Sequence, residues 1–324
     1  MKIPGIRTLR ACFAALVVAL CASAHAWPDK ALKIVVPAPA GGLIDVIART
    51  YADFLAKELG QPVVIDNRPG AGGAIGVQAM LSAPADGHTL LVTNSNVLAE
   101  TPHVMKPPYD PLKDVKAVAV LARARTMLLA APGLPARDMA GLVKYLKANP
   151  DKGSFGSPGA GTLPHVGGEL LDRRLGVDMQ HVPFSGMPAA LVALMSGQIT
   201  LAFGPVVGST QLVNSGKVIP LGVAGTTRVP SLPQVPTFSE QGFPEFAEFS
   251  NYLGLALSPK VPPEVVAKLY AVTLKIAQSP QFNAKIAQLE FEPLVPTSSE
   301  QFSEIVATEF NRNGEFIRRL NLKP

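Results

Sequence analysis

The sequence predicts an α/β protein of two lobes, each a sheet covered by helices, and three observations carry that reading. Short β-branched runs alternate with stretches whose apolar residues recur at helical spacing, the pattern of strands buried between layers of helices. This alternation begins near residue 32 and starts afresh near residue 127. Setting aside an N-terminal leader leaves about 298 residues, more than one apolar core usually organises. The expected division is a leader over 1–26, the first part of lobe I over 27–125, lobe II over 126–251, and a mainly helical return to lobe I over 252–324.

The leader reads as an address. Lys2, Arg7 and Arg10 supply positive charge with no acid among them, and the apolar run Ala11 to Ala22 follows. That run is too short to span a bilayer as a helix. Ala24-His25-Ala26 puts small residues at the two positions a signal peptidase reads, so cleavage is expected after Ala26 and the mature chain starts at Trp27. Cys12 and Cys21 are the only cysteines and both lie in the leader, so no disulfide is expected in the mature protein. Cys21 is a poor lipid-attachment site, because Leu20 stands where a small residue is wanted. Losing the leader's three cations takes the formal charge from +5 to +2. With no Lys/Arg-rich run, neither nucleic-acid nor membrane-surface binding is indicated.

Along the mature chain, Leu32 to Val36 reads as a strand that ends in Pro37-Ala-Pro-Ala-Gly-Gly42, and a helix follows over Leu43 to Leu59. Gln61 to Asp66 is a second strand, entering the glycine-rich Arg68 to Gly76. A third, His88 to Thr93, follows the turn Pro84-Ala-Asp-Gly87. In the second set, strands are expected at Met127–Ala131, Ser154–Ser157, Met179–Val182, Leu201–Gly204 and Pro220–Val223, with helices at Met139–Ala148, Leu163–Leu175 and Pro188–Met195. A last strand, Tyr252 to Leu257, precedes the helical tail. Parallel sheets covered on both faces are the expected result.

No catalytic signature is present: there is no G-x-S-x-G elbow, no phosphate-binding G-x-x-x-x-G-K-[ST] loop and no H-E-x-x-H pair. His88, His103, His165 and His181 are too scattered for a metal site. His165 stands in the first turn after a glycine-rich loop, where it either packs that loop or faces a ligand. Both lobes repeat one device, a strand, a glycine-rich loop and a helix N-terminus, at Pro37 to Asp45 and at Gly156 to His165. The first amides of a helix lack intrahelical acceptors and carry partial positive charge. Two such ends across a cleft would bind an anion without Lys or Arg; equally, they are connections that every α/β fold contains.

The succession Trp27-Pro-Asp-Lys, Ile34-Val-Val-Pro with Gly41-Gly42 and Asp45, Asn67-Arg-Pro-Gly-Ala-Gly-Gly73 and Ala85-Asp-Gly-His-Thr-Leu-Leu91 resembles the substrate-binding proteins of tripartite tricarboxylate transporters, the Bug or TctC-like receptors. Further pieces in the same order are Gly156-Ser-Pro-Gly-Ala-Gly161 with His165, His181-Val-Pro-Phe-Ser-Gly186, Gly197-Gln198, Arg228 and Leu232 to Glu240. The resemblance implies a periplasmic-binding-protein fold of type II, the Venus fly-trap, which holds a small organic acid between its lobes and passes it to membrane transporter subunits. It implies a monomeric periplasmic protein with no cofactor and no catalysis. Carried over by motif, the ligand-binding residues would be Pro39, Ala40, Gly41, Gly42, Asn94, Ser95, Ser157, Gly161, Thr162, His165, Phe184, Ser185 and Gly204. Asp45 would orient its loop.

Two departures bear on the ligand. Phe184-Ser185-Gly186 stands where the family usually has Tyr-Lys-Gly, and Gly197-Gln-Ile-Thr200 where it has Gly-Gln-Val-Asp. A pocket-edge phenol, a cation and an acid are thereby expected to be missing, which implies an acid less polar or less charged than a di- or tricarboxylate. Rival readings are a secreted hydrolase using Ser157 or Ser185 with His165 or His181, and a receptor that feeds a signalling sensor. N-terminal sequencing of exported protein should start at Trp27; a lipidated start at Cys21 would contradict the cleavage site.

Overall fold

The computed structural model describes residues 27–159, 162–293 and 298–319; the leader, with its cleavage site, and Gly161 lie outside them. In chain order the elements are β1 (Leu32–Val36), α1 (Leu43–Leu59), β2 (Val63–Asn67), α2 (Ala74–Leu81), β3 (Thr89–Asn94), α3 (Ser95–Ala99), α4 (Thr101–Met105) and β4 (Lys116–Ala130). There follow α5 (Met139–Ala148), β5 (Ser154–Ser157), α6 (Leu163–Leu175), β6 (Gln180–Pro183), α7 (Met187–Met195), β7 (Leu201–Pro205), α8 (Thr210–Asn214) and β8 (Ile219–Val223). The chain ends with β9 (Ser250–Leu257), α9 (Pro263–Gln278), α10 (Pro280–Gln288) and α11 (Ser299–Arg319).

The strands run in the order β2-β1-β3-β9-β4-β7-β5-β6, with β8 also on β4. Within each lobe the strands followed by helices are parallel, as the alternation predicts: β1 with β2 and β3, and β5 with β6 and β7. The structure departs from all-parallel sheets at the strands that join the lobes. β9 is antiparallel to both β3 and β4, and β4 is antiparallel to β7 and β8. β4 is also longer than the Met127–Ala131 run: Lys116 to Arg125 pairs with β9, and Thr126 to Ala130 pairs with β7 and β8. Its first half, Lys-Ala-Val-Ala-Val-Leu-Ala-Arg-Ala-Arg, is alanine-rich and buried on both faces, so neither the β-branched content nor the alternation that marks a strand is strong there.

The helices follow from local chemistry. α1 buries Ile44, Ile47, Ala48, Tyr51 and Leu55 on one stripe, and ends at Gly60, whose φ of 65° is the left-handed cap that stops a helix. Asp138 and Ser279 accept amides at the starts of α5 and α10. The hydroxyls of Tyr51 and Thr273 meet at 2.6 Å inside the core, tying α1 to α9 and so fastening the C-terminal part of the chain onto the first sheet. Covering a side chain of this size contributes about 1.5–3 kcal/mol. In the second lobe Phe203, Phe238, Phe246 and Phe249 pack with ring centroids 5.2–6.1 Å apart. Among the described residues no helix is long and apolar enough to cross a membrane.

Two buried carboxyls lie where α11 crosses α3 and α4. Glu100 and Glu309 are 2% and 5% exposed, and each has an oxygen with no hydrogen-bond partner. Asn313 donates to Glu100 at 2.7 Å, and Arg312 stands 3.9 Å from Glu309. Burial pushes both carboxyls up, Glu309 to about 7; the Glu309 charge adds to the rise at Glu100, while the Ser95 hydroxyl and Arg312 oppose it at Glu309 and Glu248 reinforces it. The unfolded chain releases the Glu309 proton near its ordinary value, so its contribution to stability is complete at acid pH and is lost as pH rises to about 7. His181, held down to about 4, has the opposite slope. The Glu309→Gln variant isolates the first effect: its advantage over wild type should grow between pH 5 and 7.5 to roughly 2–3 kcal/mol. Thermal denaturation across that range would show it, and a pH-independent difference would contradict it.

Candidate functional site

At the meeting of the two sheets lies a cavity of about 150 Å³. Its wall comes from both lobes: Leu43, Asn94, Asn96 and Asn251 on one side, and Thr126, Pro158, Thr162 to Pro164, Met187 and Phe203 to Pro205 on the other. Three helices of nine residues or more begin at this wall, α1 at Leu43, α6 at Leu163 and α7 at Met187. Among the described residues no charged side chain lines it. The cavity's positive potential comes from amide ends and its polar side chains are Asn and Thr, while Leu43, Leu163, Met187 and Phe203 supply apolar contact.

The two glycine loops do not contribute in the same way. Gly41, at φ 77°, turns its N–H into the Asp45 carboxylate at 2.8 Å, and the Gly42 N–H reaches the Pro39 carbonyl at 3.2 Å. Those amides are therefore engaged within their own loop. The donors that α1 presents are the next ones, starting at Leu43, because the first intrahelical bond runs from Val46 to the Gly42 carbonyl. Asp45 is 1% exposed and also accepts from Arg49 Nε at 2.8 Å and Asn67 Nδ2 at 2.9 Å. Burial raises its pKa, but the Arg49 guanidinium, the Gly41 amide and Asn67 outweigh that and hold the carboxyl below its ordinary value. Pro39, Ala40 and Gly41 form the exposed lip of the cleft.

Of the residues carried over by motif, Asn94, Thr162 and Gly204 stand in the cavity wall. Asn94 caps α3 by accepting the Val97 amide at 3.2 Å and donates to Asn251 at 3.4 Å. Thr162 donates its hydroxyl to the Gly159 carbonyl at 2.7 Å. Ser95, Ser157 and His165 lie behind the wall. The Ser95 hydroxyl accepts the Tyr252 amide at 3.3 Å, and the residue is 2% exposed. Ser157 has no exposed surface, and its hydroxyl is shared between the Gly159 backbone and His181 Nε2 at 2.7 Å. His165 is 5% exposed and stacks on His181 with centroids 3.8 Å apart. Burial, and the neighbouring His165 ring, lower the His181 pKa to about 4, so His181 is neutral at ordinary pH. Phe184 packs beside Gly156, Ser185 is exposed, and neither reaches the cavity wall.

Asn251, Thr126 and Met187 were not legible as site residues. Asn251 comes to Asn94 only because β3 and β9 pair, across 157 positions of sequence. Met187 follows Gly186 and precedes Pro188, a helix start of the same type as Leu163-Pro164, and that repetition is the signal that points to it. Thr200 lies away from the pocket: it bonds Ser154, at the other end of β5 from Ser157. The acid absent at this position is therefore no loss to the cavity.

A second cavity of about 370 Å³ lies behind the crossing of β4, lined in part by Arg125, Phe291, Glu290 and Glu292. Arg125 donates to the carbonyls of Ala224 and Thr227, and Arg123 forms a two-pronged ion pair with Glu292 at 2.7–2.8 Å. Arg228 also lines this space, but it is paired with Glu240 at 3.0 Å as Arg125 is with its carbonyls, so the two carboxylates face no unengaged cation and make it a poor place for an acid.

A family model described as the tripartite tricarboxylate transporter family receptor matches residues 47–322. The chain belongs to this family. Solved receptors of similar fold include the periplasmic binding protein BugD, 28% identical with a TM-score of 0.82 over 92% of this chain and 99% of that one. An R. palustris protein, Rpa4515, solved with adipate, is 28% identical with a TM-score of 0.85 over the same shares. MatC from Rhodopseudomonas palustris, with bound malate, is 31% identical with a TM-score of 0.80 over 90% of this chain and 100% of that one. The two lobes of this receptor are thus those of the type II periplasmic-binding-protein fold.

The geometry separates wall from support. Asn251→Asp places an anion in the wall, and should weaken carboxylate binding by at least about tenfold. Ser157→Ala should leave such binding within threefold, yet lower stability by about 1–2 kcal/mol by stranding His181 Nε2. Calorimetry and thermal denaturation on the two variants would reverse this assignment if the effects were exchanged.

Proposed function

We propose that this receptor works in the periplasm, holds a small carboxylate in the 150 Å³ cavity between its lobes, and releases it to the membrane subunits of a tripartite carrier. One observation carries the reading: helix N-termini from both lobes converge on a wall that has no charged side chain among the described residues, so an anion is met from either side by backbone amides. Solved relatives bound to adipate and malate support a small carboxylate, and a dicarboxylate is the reading we take from them in place of the less charged acid expected from Phe184 and Ser185. The apolar side chains Leu43, Leu163, Met187 and Phe203 favour a ligand with a methylene chain over one with many hydroxyls.

The ligand contacts we infer are the amides from Leu43 onward and those at the starts of α6 and α7, with Asn94, Thr162, Gly204 and Asn251 around them; the lip Pro39 to Gly42 frames the entrance. Lobe I would comprise 27–125 and 252–324, and lobe II 126–251. This division is supported by the change of β4's partners between Arg125 and Thr126. The working unit is a monomer without cofactor or catalysis. The Ser157–His181 contact has the form of a hydrolytic pair, but a hydroxyl with no exposed surface cannot reach a substrate carbonyl.

A thermal-shift screen over mono- and dicarboxylates tests the proposal, since a ligand at a hundred times its Kd adds about 2.7 kcal/mol. Adipate should bind more tightly than malate, a fluorophosphonate should label neither Ser157 nor Ser185, and no single Arg or Lys replacement should remove binding. Silence across the screen, or stoichiometric labelling of Ser157, would overturn the receptor reading.

A further inference from the structure

The glycine-rich segment Asn67 to Gly73 takes no part in the cavity, and it is built as a contact surface. Four successive residues have positive φ: Gly70 at 119°, Ala71 at 47°, Gly72 at 60° and Gly73 at 96°. Ala71 pays a steric cost for this, so the loop's shape is imposed by its surroundings. Thr101 supplies part of that by donating its hydroxyl to the Gly72 carbonyl at 3.0 Å. A Cβ at Gly70 would stand 2.6 Å from Ile75 Cδ1, and one at Gly72 would stand 3.0 Å from Met105 Sδ. The missing side chains let Ile75 and Met105 lie directly on the loop backbone, and both remain about half exposed, at 50% and 47%. Large apolar side chains left exposed against a loop backbone gain by being covered.

The charges around this patch have one outward sign. The side chains of Lys33, Arg49 and Arg68 are 52–55% exposed, whereas their partners Asp66 and Asp45 are 24% and 2% exposed, and Lys106 adds an exposed cation next to Met105. The patch is also tied to the cleft. Asn67, which opens the loop, donates to the Ala38 carbonyl at 3.1 Å and to Asp45 at 2.9 Å, and the same Asp45 holds the Gly41 amide of the cleft lip.

We propose that Arg68 to Gly73, with Ile75 and Met105, is the surface on which the carrier's membrane subunit docks, through a periplasmic segment that offers acidic side chains around an apolar tip. This rests on the receptor reading of the preceding section. A second copy of this chain is a poor occupant, because a two-fold contact would set the patch against itself and bring its cations face to face. The Asp45–Asn67 link gives the docked partner a direct sense of where the cleft lip stands.

The test uses the full-length receptor, co-produced with the membrane subunits of the tripartite carriers encoded in the same genome. A photo-crosslinking residue placed at Ile75 or Met105 should yield an adduct with a membrane subunit, and Arg68→Glu with Lys106→Glu should reduce that adduct by about tenfold, as removal of central contacts does. The charge-reversed protein should keep its circular dichroism spectrum and bind adipate or malate within twofold of wild type. An adduct only between two receptor copies, no adduct at either position, or an adduct insensitive to charge reversal would overturn the docking surface. Failure of wild type to bind either acid would instead count against the receptor reading, and the crosslink, which needs no ligand, would still decide the docking surface.

Discussion

A single fifteen-residue strand carries the backbone from one sheet into the other, and the cleft exists because of it. β4 pairs with β9 as far as Arg125 and with β7 and β8 from Thr126 onward, so the boundary between lobes falls inside a continuous hydrogen-bonded strand. Register shifts at Ala117/Ala119 and Val120/Ala122 bend and twist that strand before it crosses. Alternation then sends neighbouring side chains to opposite faces: Thr126 lines the cavity, and Arg125 lines the space behind it. Arg125 spends its guanidinium on two backbone carbonyls, Ala224 and Thr227, so it serves as a strut between β4 and the loop after β8. Relative movement of the lobes has to be absorbed at this crossing and at the matching end of β9.

With the hinge placed there, the absence of a charged wall acquires a mechanical meaning. An Arg in one lobe would satisfy an acid fully in the open form, and closure would gain little. Helix ends carry only about half a charge each, so an anion seated on α1 alone is incompletely met. On the proposed site, closing the lobes would add the ends of α6 and α7 and give the ligand a differential affinity for the closed state, and that difference is all a ligand has with which to shift the equilibrium. Pro164 and Pro188 each remove one amide from the second position of their helices, so lobe II supplies fewer donors per helix than α1 does. Lobe I is therefore the side on which an anion would first rest.

The sequence made the layers legible because their signals are local. β-branched runs, helix spacing, and the glycine and proline punctuation between them placed nearly every strand and helix start of the second lobe within a residue or two. β4 was legible only in its second half, where Leu128 and Leu129 stand out; alanines buried on both faces leave no period to detect. Within the site, the residue types were readable but their directions were not. Ser95 and Ser157 both end or follow strands beside the cleft, yet each turns its hydroxyl inward, to Tyr252 and to His181, and nothing in a one-dimensional pattern distinguishes that from facing a ligand. Asn251 was invisible for another reason: its relation to Asn94 is created by an antiparallel pairing between the first sheet and a strand entered late in the chain.

The inward-turned Ser95 shows why support behind the wall matters as much as the wall. Its hydroxyl accepts from Tyr252, the neighbour of Asn251, and faces the carboxyl of Glu309 on α11, while Glu100, at the junction of α3 and α4, meets Asn313 of the same α11. The C-terminal helix thus braces, from the rear, the strand ends that carry Asn94 and Asn251. A carboxylate in that position would put a negative charge directly behind the half of the cleft that α1 makes attractive to an acid. Burial opposes this by favouring the protonated form: it pushes the Glu100 carboxyl well up and Glu309 to about 7, so the charge there is reduced near neutral pH and absent below it. The same low-polarity surroundings that strengthen the helix-end field in front therefore weaken the opposing field behind, which is what the proposed site needs to attract an anion with no cation in its wall among the described residues.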